Sequence, residues 1–452
     1  MHWASLNWTD LILALFRGTI ECEKPDSKDS WVWAVLKDPA IWKAHGKAVA
    51  DVTPYLPGSF DRPPRNPAEK ISSGYKAWEF LLYVIGLAPA LLRGVLPEAH
   101  WVHFCKGVSV IRCFYQQNIP REEIVEHHRL AIEYIAEFET LYFQGMAERI
   151  HFIRQSVHAF SHLGPEAIRV GPAGLHSQWP IERSIGNLGR EIKSHSQPYA
   201  NLAERGLRRC QVNALKAMIP DLDPPIPKLP RGSLDLGGGY VLLRAKDEYR
   251  HNIDGAAGQA IRTYLENHSD GPIMGTLSVV RWARLQLPNG QIARSAWKEG
   301  RRALNKVRMA RNVKFLSVSK HHLGEIQFFF RAQIDGVAQA FALIDHYSDP
   351  DEEILQKSYK TVWLCDHGQG KFLIVIPAKT IISVVAMFPH SLIPGALQKN
   401  PNAHTEFILV EKPGLDIMKL SGYFEGDKEA DEGKGIQNEA EGEVNANEDI
   451  EV

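Results

Sequence analysis

Apolar side chains recur at helical spacing from residue 72 to residue 163. They form several stripes, of which the first is Tyr75, Trp78, Leu82 and Ile85. Steps of three and four residues place such side chains on one face of a helix. The pattern predicts an all-α helical domain over residues 71–219. Before it, residues 1–70 contain a run of prolines that excludes regular helix, and we expect an irregular lead-in there.

The period changes from 3.6 to 2 after a proline-rich stretch at residues 220–231, which predicts a stiff linker between domains. Strand-like runs follow at 240–244, 279–287, 291–294, 325–331, 340–347, 361–365, 372–376, 381–388 and 406–410. Short strands at this spacing favour a small antiparallel β-barrel or sandwich over residues 232–424. The predicted fold class is therefore multidomain α+β.

A helix that begins at Pro180 carries an unusual polar face. Its apolar face is formed by Ile181, Ile185, Leu188 and Ile192. On a neighbouring face Glu182 is followed one and two turns later by Gly186 and Gly189. Each helical glycine costs about 1 kcal/mol relative to alanine, so the pair predicts close approach by another helix or by a nucleic-acid backbone.

The net charge of −1 conceals an asymmetry. Residues 425–452 hold eleven acidic residues and two lysines, are poor in aromatic residues, and are predicted to form a disordered acidic tail. The body that remains has 50 basic and 42 acidic residues. A basic body with an acidic tail is typical of proteins that bind polyanions, although ordinary solvated surfaces share this composition.

Residues 281–314, predicted as a hairpin followed by a helix, hold ten bases and one acid, Glu299. Trp282 and Trp297 lie among the bases. So high a density favours neutralisation by phosphate. We predict nucleic-acid contact through nine of these bases: Arg281, Arg284, Arg294, Lys298, Arg301, Arg302, Lys306, Arg308 and Arg311. The alternative is a solvated basic face, or one that pairs with the acidic tail of the same chain.

Two further groups of residues are candidate chemical sites. Glu182 either favours the dipole of its helix and pairs with an arginine, or is a metal-binding catalytic acid for phosphoryl transfer, which requires further carboxylates. His151, His158 and His162 form a line that fits ordinary hydrogen bonds better than a metal site, because no motif completes the ligand set. The sequence thus predicts no metal site and shows no complete catalytic constellation.

Several motifs resemble one family. They are KISSGYKAWEF at 70–80, QWPIERSIGNL at 178–188, PYANL at 198–202, and weaker stretches at 208–220, 294–297, 382–387 and 410–416. Together they resemble the C-terminal half of CACTA (En/Spm-like) DNA transposases, especially those of mushroom-forming fungi. The resemblance implies a ribonuclease-H-like core that uses acidic residues and Mg²⁺, with Glu182 as its last acid. The upstream aspartates and DNA-binding fingers of that family have no counterpart in this sequence, which is expected of a fragment or a decayed copy.

We therefore expect a transposase-derived, DNA-associated protein without a complete catalytic core. The alternatives are a protein–protein interaction module and a hydrolase that uses the histidine line. No cofactor is expected, and Mg²⁺ only if other carboxylates complete the core; homo-oligomerisation stays open. Five cysteines without a C-x-x-C pair favour a reduced intracellular compartment, and the resemblance to transposases implies the nucleus. No membrane span is expected, because Pro89 and Arg93 interrupt the most apolar run.

Overall fold

The computed structural model describes residues 3–175, 178–192, 194, 196–222, 229–268, 275–334 and 336–412. Their α-helices are α1 (Thr9–Phe16), α2 (Pro39–Asp51), α3 (Pro67–Lys70), α4 (Ala77–Phe80), α5 (Ala88–Leu91), α6 (Glu98–Phe114), α7 (Arg121–Phe138), α8 (Gln155–His158), α9 (Phe160–Val170), α10 (Trp179–Glu191), α11 (Pro198–Met218), α12 (Gly255–Glu266), α13 (Ala296–Glu299), α14 (Glu352–Lys357) and α15 (Ala396–Lys399). No helix among them has the length and apolar character needed to cross a membrane. The expected acidic tail, 425–452, and residues 223–228 of the expected linker lie outside the described residues.

The strands are β1 (Leu234–Gly237), β2 (Tyr240–Leu242), β3 (His251–Asn252), β4 (Ser278–Val279), β5 (Arg284–Gln286), β6 (Ile292–Arg294), β7 (Asn312–Ser317), β8 (Lys320–Ile334), β9 (Val337–His346), β10 (Leu364–Asp366), β11 (Leu373–Pro377), β12 (Ile381–Val384), β13 (Ala386–Pro389) and β14 (Glu406–Val410). They form open antiparallel sheets in the orders β1-β2-β5-β6, β11-β9-β8-β7-β12, β10-β14-β13 and β3-β4. The α+β class is confirmed. The barrel prediction is wrong, because none of the described sheets closes on itself.

Residues 1–70, expected to be an irregular lead-in, supply the centre of the helical core. Trp8 is fully buried, its indole N–H donates to the Tyr134 hydroxyl at 2.8 Å, and its ring stacks on Phe104 with centroids 6.0 Å apart. α1 buries side chains all round, namely Thr9, Leu11, Ile12, Leu13, Leu15 and Phe16. A helix without a polar face lies inside a core. This segment is therefore part of the helical half.

The three-stranded sheet also packs into the helical core. Phe388 of β13 and Val410 of β14 belong to the same buried cluster as Trp8. A β-carbon added at Gly86 would lie 3.5 Å from the Val410 side chain, so helix and strand are in contact. Packing therefore joins β13 and β14, the last described strands, to the first helices of the chain.

The five-stranded sheet is covered on both faces. One face packs against the four-stranded sheet through residues such as Leu285 and Ile344, and the other packs against α12 through Ile261 and Leu343. The alternation of Ile344 and Leu343 between faces follows the period of two in a strand. A β-bulge at Gln327 interrupts this alternation in β8.

A buried ion pair fixes the loop after α1 against the helical core. Arg149 donates from Nε to Asp26 Oδ2 at 2.7 Å and from Nη2 to Asp26 Oδ1 at 2.6 Å, and both side chains are 2% exposed. These bonds hold the pKa of Asp26 at about 2, with further help from the Trp31 indole N–H. Because the ordinary value is 3.8, the carboxylate contributes about 2 kcal/mol of stability.

We expect Asp26→Asn to lower the free energy of unfolding at pH 7 by about 3–5 kcal/mol, because Arg149 then stays buried without its partner. The depressed pKa means that the contribution is complete above pH 4 and is lost as the pH falls towards 2. Urea denaturation should therefore show the difference from wild type shrinking over that range. Asp29→Asn is the matched control, since Asp29 pairs with Lys37 at the surface, and it should leave the midpoint unchanged. A difference that persists at pH 2 would contradict the assignment.

Candidate nucleic-acid interface

The basic segment 281–314 is a hairpin followed by mostly irregular chain. β5 and β6 form the expected hairpin, but the expected helix is limited to α13 and a 3₁₀ turn at Leu304–Lys306. The chain then continues into β7. The ten bases are therefore distributed over several surfaces, and their proximity in sequence does not bring them together on one face.

Three of the ten bases are neutralised by acids from other parts of the chain. Nε of Arg281 lies 2.8 Å from Asp247 Oδ2. Nε of Arg311 lies 2.7 Å from Glu325 Oε1. Lys314, the base left out of the predicted contacts, pairs with Glu411 at 2.8 Å. No local pattern could have indicated these partners, because they lie 14 to 97 residues away along the chain.

Arg308 has a structural role between the two halves of the molecule. Its guanidinium donates to three backbone carbonyls, those of Leu56, Pro57 and Asp61, at 2.5, 2.8 and 3.2 Å. The next residue continues the contact, since the Met309 N–H donates to the Pro54 carbonyl at 2.8 Å. The side chain predicted to bind DNA thus fastens residues 54–61 to the β-rich half.

Arg284 and Arg294 lie directly opposite each other on β5 and β6 and are half-buried. Burial, and then the nearby Arg302, lower the pKa of Arg284. Glu299, the one acid of the segment, is 4% exposed and accepts from the Ala310 N–H at 3.1 Å. Burial raises the pKa of Glu299, and the Ala310 N–H and surrounding arginines act against that rise. Arg284, Arg294 and Glu299 are therefore partly or fully buried and do not belong to an exposed basic surface.

The remaining bases form an exposed cluster, which we call the 298–306 surface: Lys298, Arg301, Arg302 and Lys306. Trp297 anchors it, because this ring packs partly buried against the core under α12. Three cations lie over the ring, with Lys298 Nζ 4.3 Å, Arg281 Cζ 4.5 Å and Arg301 Cζ 5.9 Å from its centroid. Within the described part of the chain, no carboxylate lies within ion-pair distance of these four bases.

Glu182 lies on the surface of the molecule. It is an exposed residue of α10, and the described side chains of α10 and α11 include none that is buried. Gly186 and Gly189 face open space, so nothing in the described structure makes the close approach predicted for them. Glu182 is not among the described residues that could jointly hold a metal ion.

The histidine line is divided between two kinds of contact. His151 Nε2 lies 2.9 Å from the Glu21 carbonyl oxygen, while Nε2 of His158 and Nε2 of His162 lie 3.0 Å apart. The three histidines therefore do not converge. One group of potential metal ligands is found among the described residues, Glu325, Asp345 and His367. No pattern in the sequence indicates this group, because the three residues are separated by 20 and 22 positions and match no motif.

The comparisons with known proteins return nothing for this chain: no family model, no curated protein and no solved structure matches it.

The contacts of Arg308 predict that it stabilises the fold while the 298–306 surface does not. We expect Arg308→Met to lower the free energy of unfolding by about 1.5–3 kcal/mol, because three buried carbonyls lose a charged donor. Arg301→Met, the matched control, should change it by less than about 0.5 kcal/mol. Chemical denaturation of both variants measures this. Equal effects would contradict the division of the bases into structural and exposed sets.

Proposed function

We propose that the chain binds the phosphate backbone of duplex DNA through the 298–306 surface. The observation that carries the proposal is the run of four exposed cations, Lys298, Arg301, Arg302 and Lys306, of which Lys298 and Arg301 lie over the ring of Trp297. Like charges held this close repel one another and favour a ligand that neutralises several of them at once. A phosphate backbone, with one charge per about 1.7 Å of duplex, provides such a ligand.

The role of Trp297 in this proposal is to position cations. With three cationic groups within 6 Å of its centroid, the ring favours cation–π contacts, which are worth about 0.5–1 kcal/mol each at exposed sites. Contacts of this type to phosphate set register and affinity without reading base sequence. We therefore propose binding that depends strongly on salt and weakly on DNA sequence.

We also propose that the chain is transposase-derived and nuclear, and this part of the proposal rests on the resemblance to CACTA transposases alone. Catalysis through Glu182 and Mg²⁺ would need further carboxylates beside it. The proposed activity is accordingly DNA association, with any strand cleavage dependent on acids from elsewhere.

A protein-interaction function is the second candidate, and one observation favours it. α10 and α11 leave large apolar side chains exposed, among them Ile181, Ile185, Leu207, Val212, Leu215 and Met218. Exposed apolar faces of this kind are typical of surfaces that bind another protein or a second copy of the chain. Affinity for a protein partner without affinity for duplex would favour this candidate.

The DNA proposal is tested by reversing the charge of Lys298, Arg301, Arg302 and Lys306 to glutamate. Fluorescence anisotropy with a labelled duplex gives the binding constant from low to physiological salt. We expect the slope of log K against log salt to become shallower by about 3 to 4, because each lost phosphate contact contributes about 0.9. A slope equal to that of wild type would overturn the proposal.

The matched control reverses four exposed bases of other elements, Lys24, Lys70, Arg121 and Lys360. It changes the net charge by the same amount, so it separates a local surface from a general electrostatic effect. We expect the control to retain most of the wild-type slope. Circular dichroism melting of both variants checks that neither change unfolds the chain.

A further inference from the structure

Two acidic side chains face each other near one end of the long β8–β9 pairing. Glu325 of β8 and Asp345 of β9 are direct cross-strand partners, so their side chains lie on the same face of the sheet. Asp345 is 1% exposed, and the Glu325 side chain is 14% exposed. Like charges directly opposite each other destabilise a sheet unless a cation compensates them.

His367 lies over this pair. Its Nε2 is 3.7 Å from Glu325 Oε2 and 3.6 Å from Asp345 Oδ2. The turn that carries it is fastened to the same carboxylate, because the Gly370 N–H donates to Asp345 Oδ2 at 2.6 Å. A β-carbon at Gly368 would lie 2.5 Å from Asp345 Oδ1, so only glycine allows the turn to come so near.

The distances around His367 fit shared coordination better than hydrogen bonding. Nitrogen and oxygen atoms joined by a hydrogen bond lie about 2.7–3.2 Å apart, which is shorter than either separation here. Ligands of a tetrahedral zinc ion, with bonds of about 2.0–2.2 Å, lie about 3.4 Å from each other. One ligand atom from each residue can be chosen so that all three lie within 4.8 Å of one another, so a modest closure brings them to one ion.

An oxygen atom of Asp345 without a hydrogen-bond partner also favours a bound cation. Asp345 Oδ1 is buried and has no hydrogen-bond partner. Buried carboxylate oxygens are rarely left in this state, because desolvation without a replacement bond is costly. Arg311 pairs with Glu325 on its other oxygen, so one guanidinium faces two carboxylates. Among the described residues, the cations within ion-pair distance of these two carboxylates are Arg311 and, if protonated, His367.

We propose that Glu325, Asp345 and His367 form a binding site for a divalent transition-metal ion of the zinc type. Mixed imidazole and carboxylate ligands favour such ions over Mg²⁺ or Ca²⁺, which prefer oxygen alone. Three protein ligands leave a fourth position for water or a substrate atom, as in zinc sites that carry out catalysis. The site is separate from the 298–306 surface and does not depend on the DNA proposal.

Metal binding changes the protonation of the imidazole. Nδ1 of His367 accepts from the Gln369 N–H at 3.1 Å, so the neutral ring carries its proton on Nε2, facing the carboxylates. Coordination through Nε2 would require this nitrogen to lose its proton to water. Nδ1 would take up a proton in exchange, so the ring would stay neutral. The Gln369 N–H then loses its acceptor, and the turn at 367–370 must reorient.

The test uses the full chain with Cys210→Ser as background, because Cys210 is an exposed thiol that would bind zinc itself. After removal of metal with a chelator, isothermal titration with Zn²⁺ should give one equivalent that is lost, or weakened at least tenfold, in Asp345→Asn and in His367→Gln. His158→Gln is the matched control, since His158 and His162 form another histidine pair that could bind zinc, and this variant should keep that equivalent. Thermal melting of the chelated variants checks their folding.

Two outcomes would overturn the proposal. One is the absence of any zinc binding by the folded wild-type chain at 100-fold excess of the ion over protein. The other is a bound equivalent that survives in both Asp345→Asn and His367→Gln. Amide hydrogen exchange gives a second readout, because only binding at this site should alter exchange at Gln369 and Gly370.

Discussion

The antiparallel pairing of β8 and β9 is the constraint on which the β-rich half depends. Both faces of the middle of this pair are covered, so buried side chains there alternate between the four-stranded sheet and α12 according to their position along the strand. The bulge at Gln327 changes that assignment midway, because one extra residue reverses the alternation. Before the bulge, Ile326 faces the four-stranded sheet while Glu325 faces the other side, beside Asp345.

The helical half and the β-rich half are not independent of each other. The chain passes between them repeatedly: α14 and β10 pack with the helical core, β11 and β12 belong to the five-stranded sheet, and β13 and β14 pack with the helical core again. Within residues 54–61, the carbonyls of Leu56, Pro57 and Asp61 accept hydrogen bonds from Arg308, a side chain of the basic segment. Buried carbonyl groups need such donors wherever backbone leaves regular structure. The boundary that the proline run marks in the sequence is therefore bridged by packing and by hydrogen bonds.

Local patterns correctly predicted elements whose apolar residues recur at regular spacing. The run predicted at 406–410 coincides with β14 (Glu406–Val410), and Trp78, Leu82 and Ile85 of the first apolar stripe lie in α4 and in the π-helix Leu81–Leu87 that follows it. The pattern did not identify α12, because its sequence includes glycines and polar residues that weaken the helical period. It also could not show that β13 and β14 pack on helices, since a strand buried on a helix and one buried on a sheet have the same alternation.

The candidate sites were recovered only in part for the same reason. Counting bases along residues 281–314 indicated one candidate region, yet the acids that pair with some of these bases, such as Asp247 and Glu325, come from distant positions. Only the structure distinguishes the exposed bases from the arginines that make contacts inside the protein. The exposed bases are Lys298, Arg301, Arg302 and Lys306. Glu325, Asp345 and His367 come together through strand register and a turn, which no spacing in one sequence encodes.

Both proposals concern charged groups that ion pairs within the described chain do not fully compensate. Within the described β-rich half, Arg281 is matched by Asp247 and Arg311 by Glu325, so these charges are already compensated. Positive charge remains without a partner on the 298–306 surface, where water and salt reach it and a polyanion can replace them. Negative charge remains at Asp345, where water is largely excluded and a small cation is the ligand that fits. The difference in burial therefore decides which kind of ligand each surplus can bind.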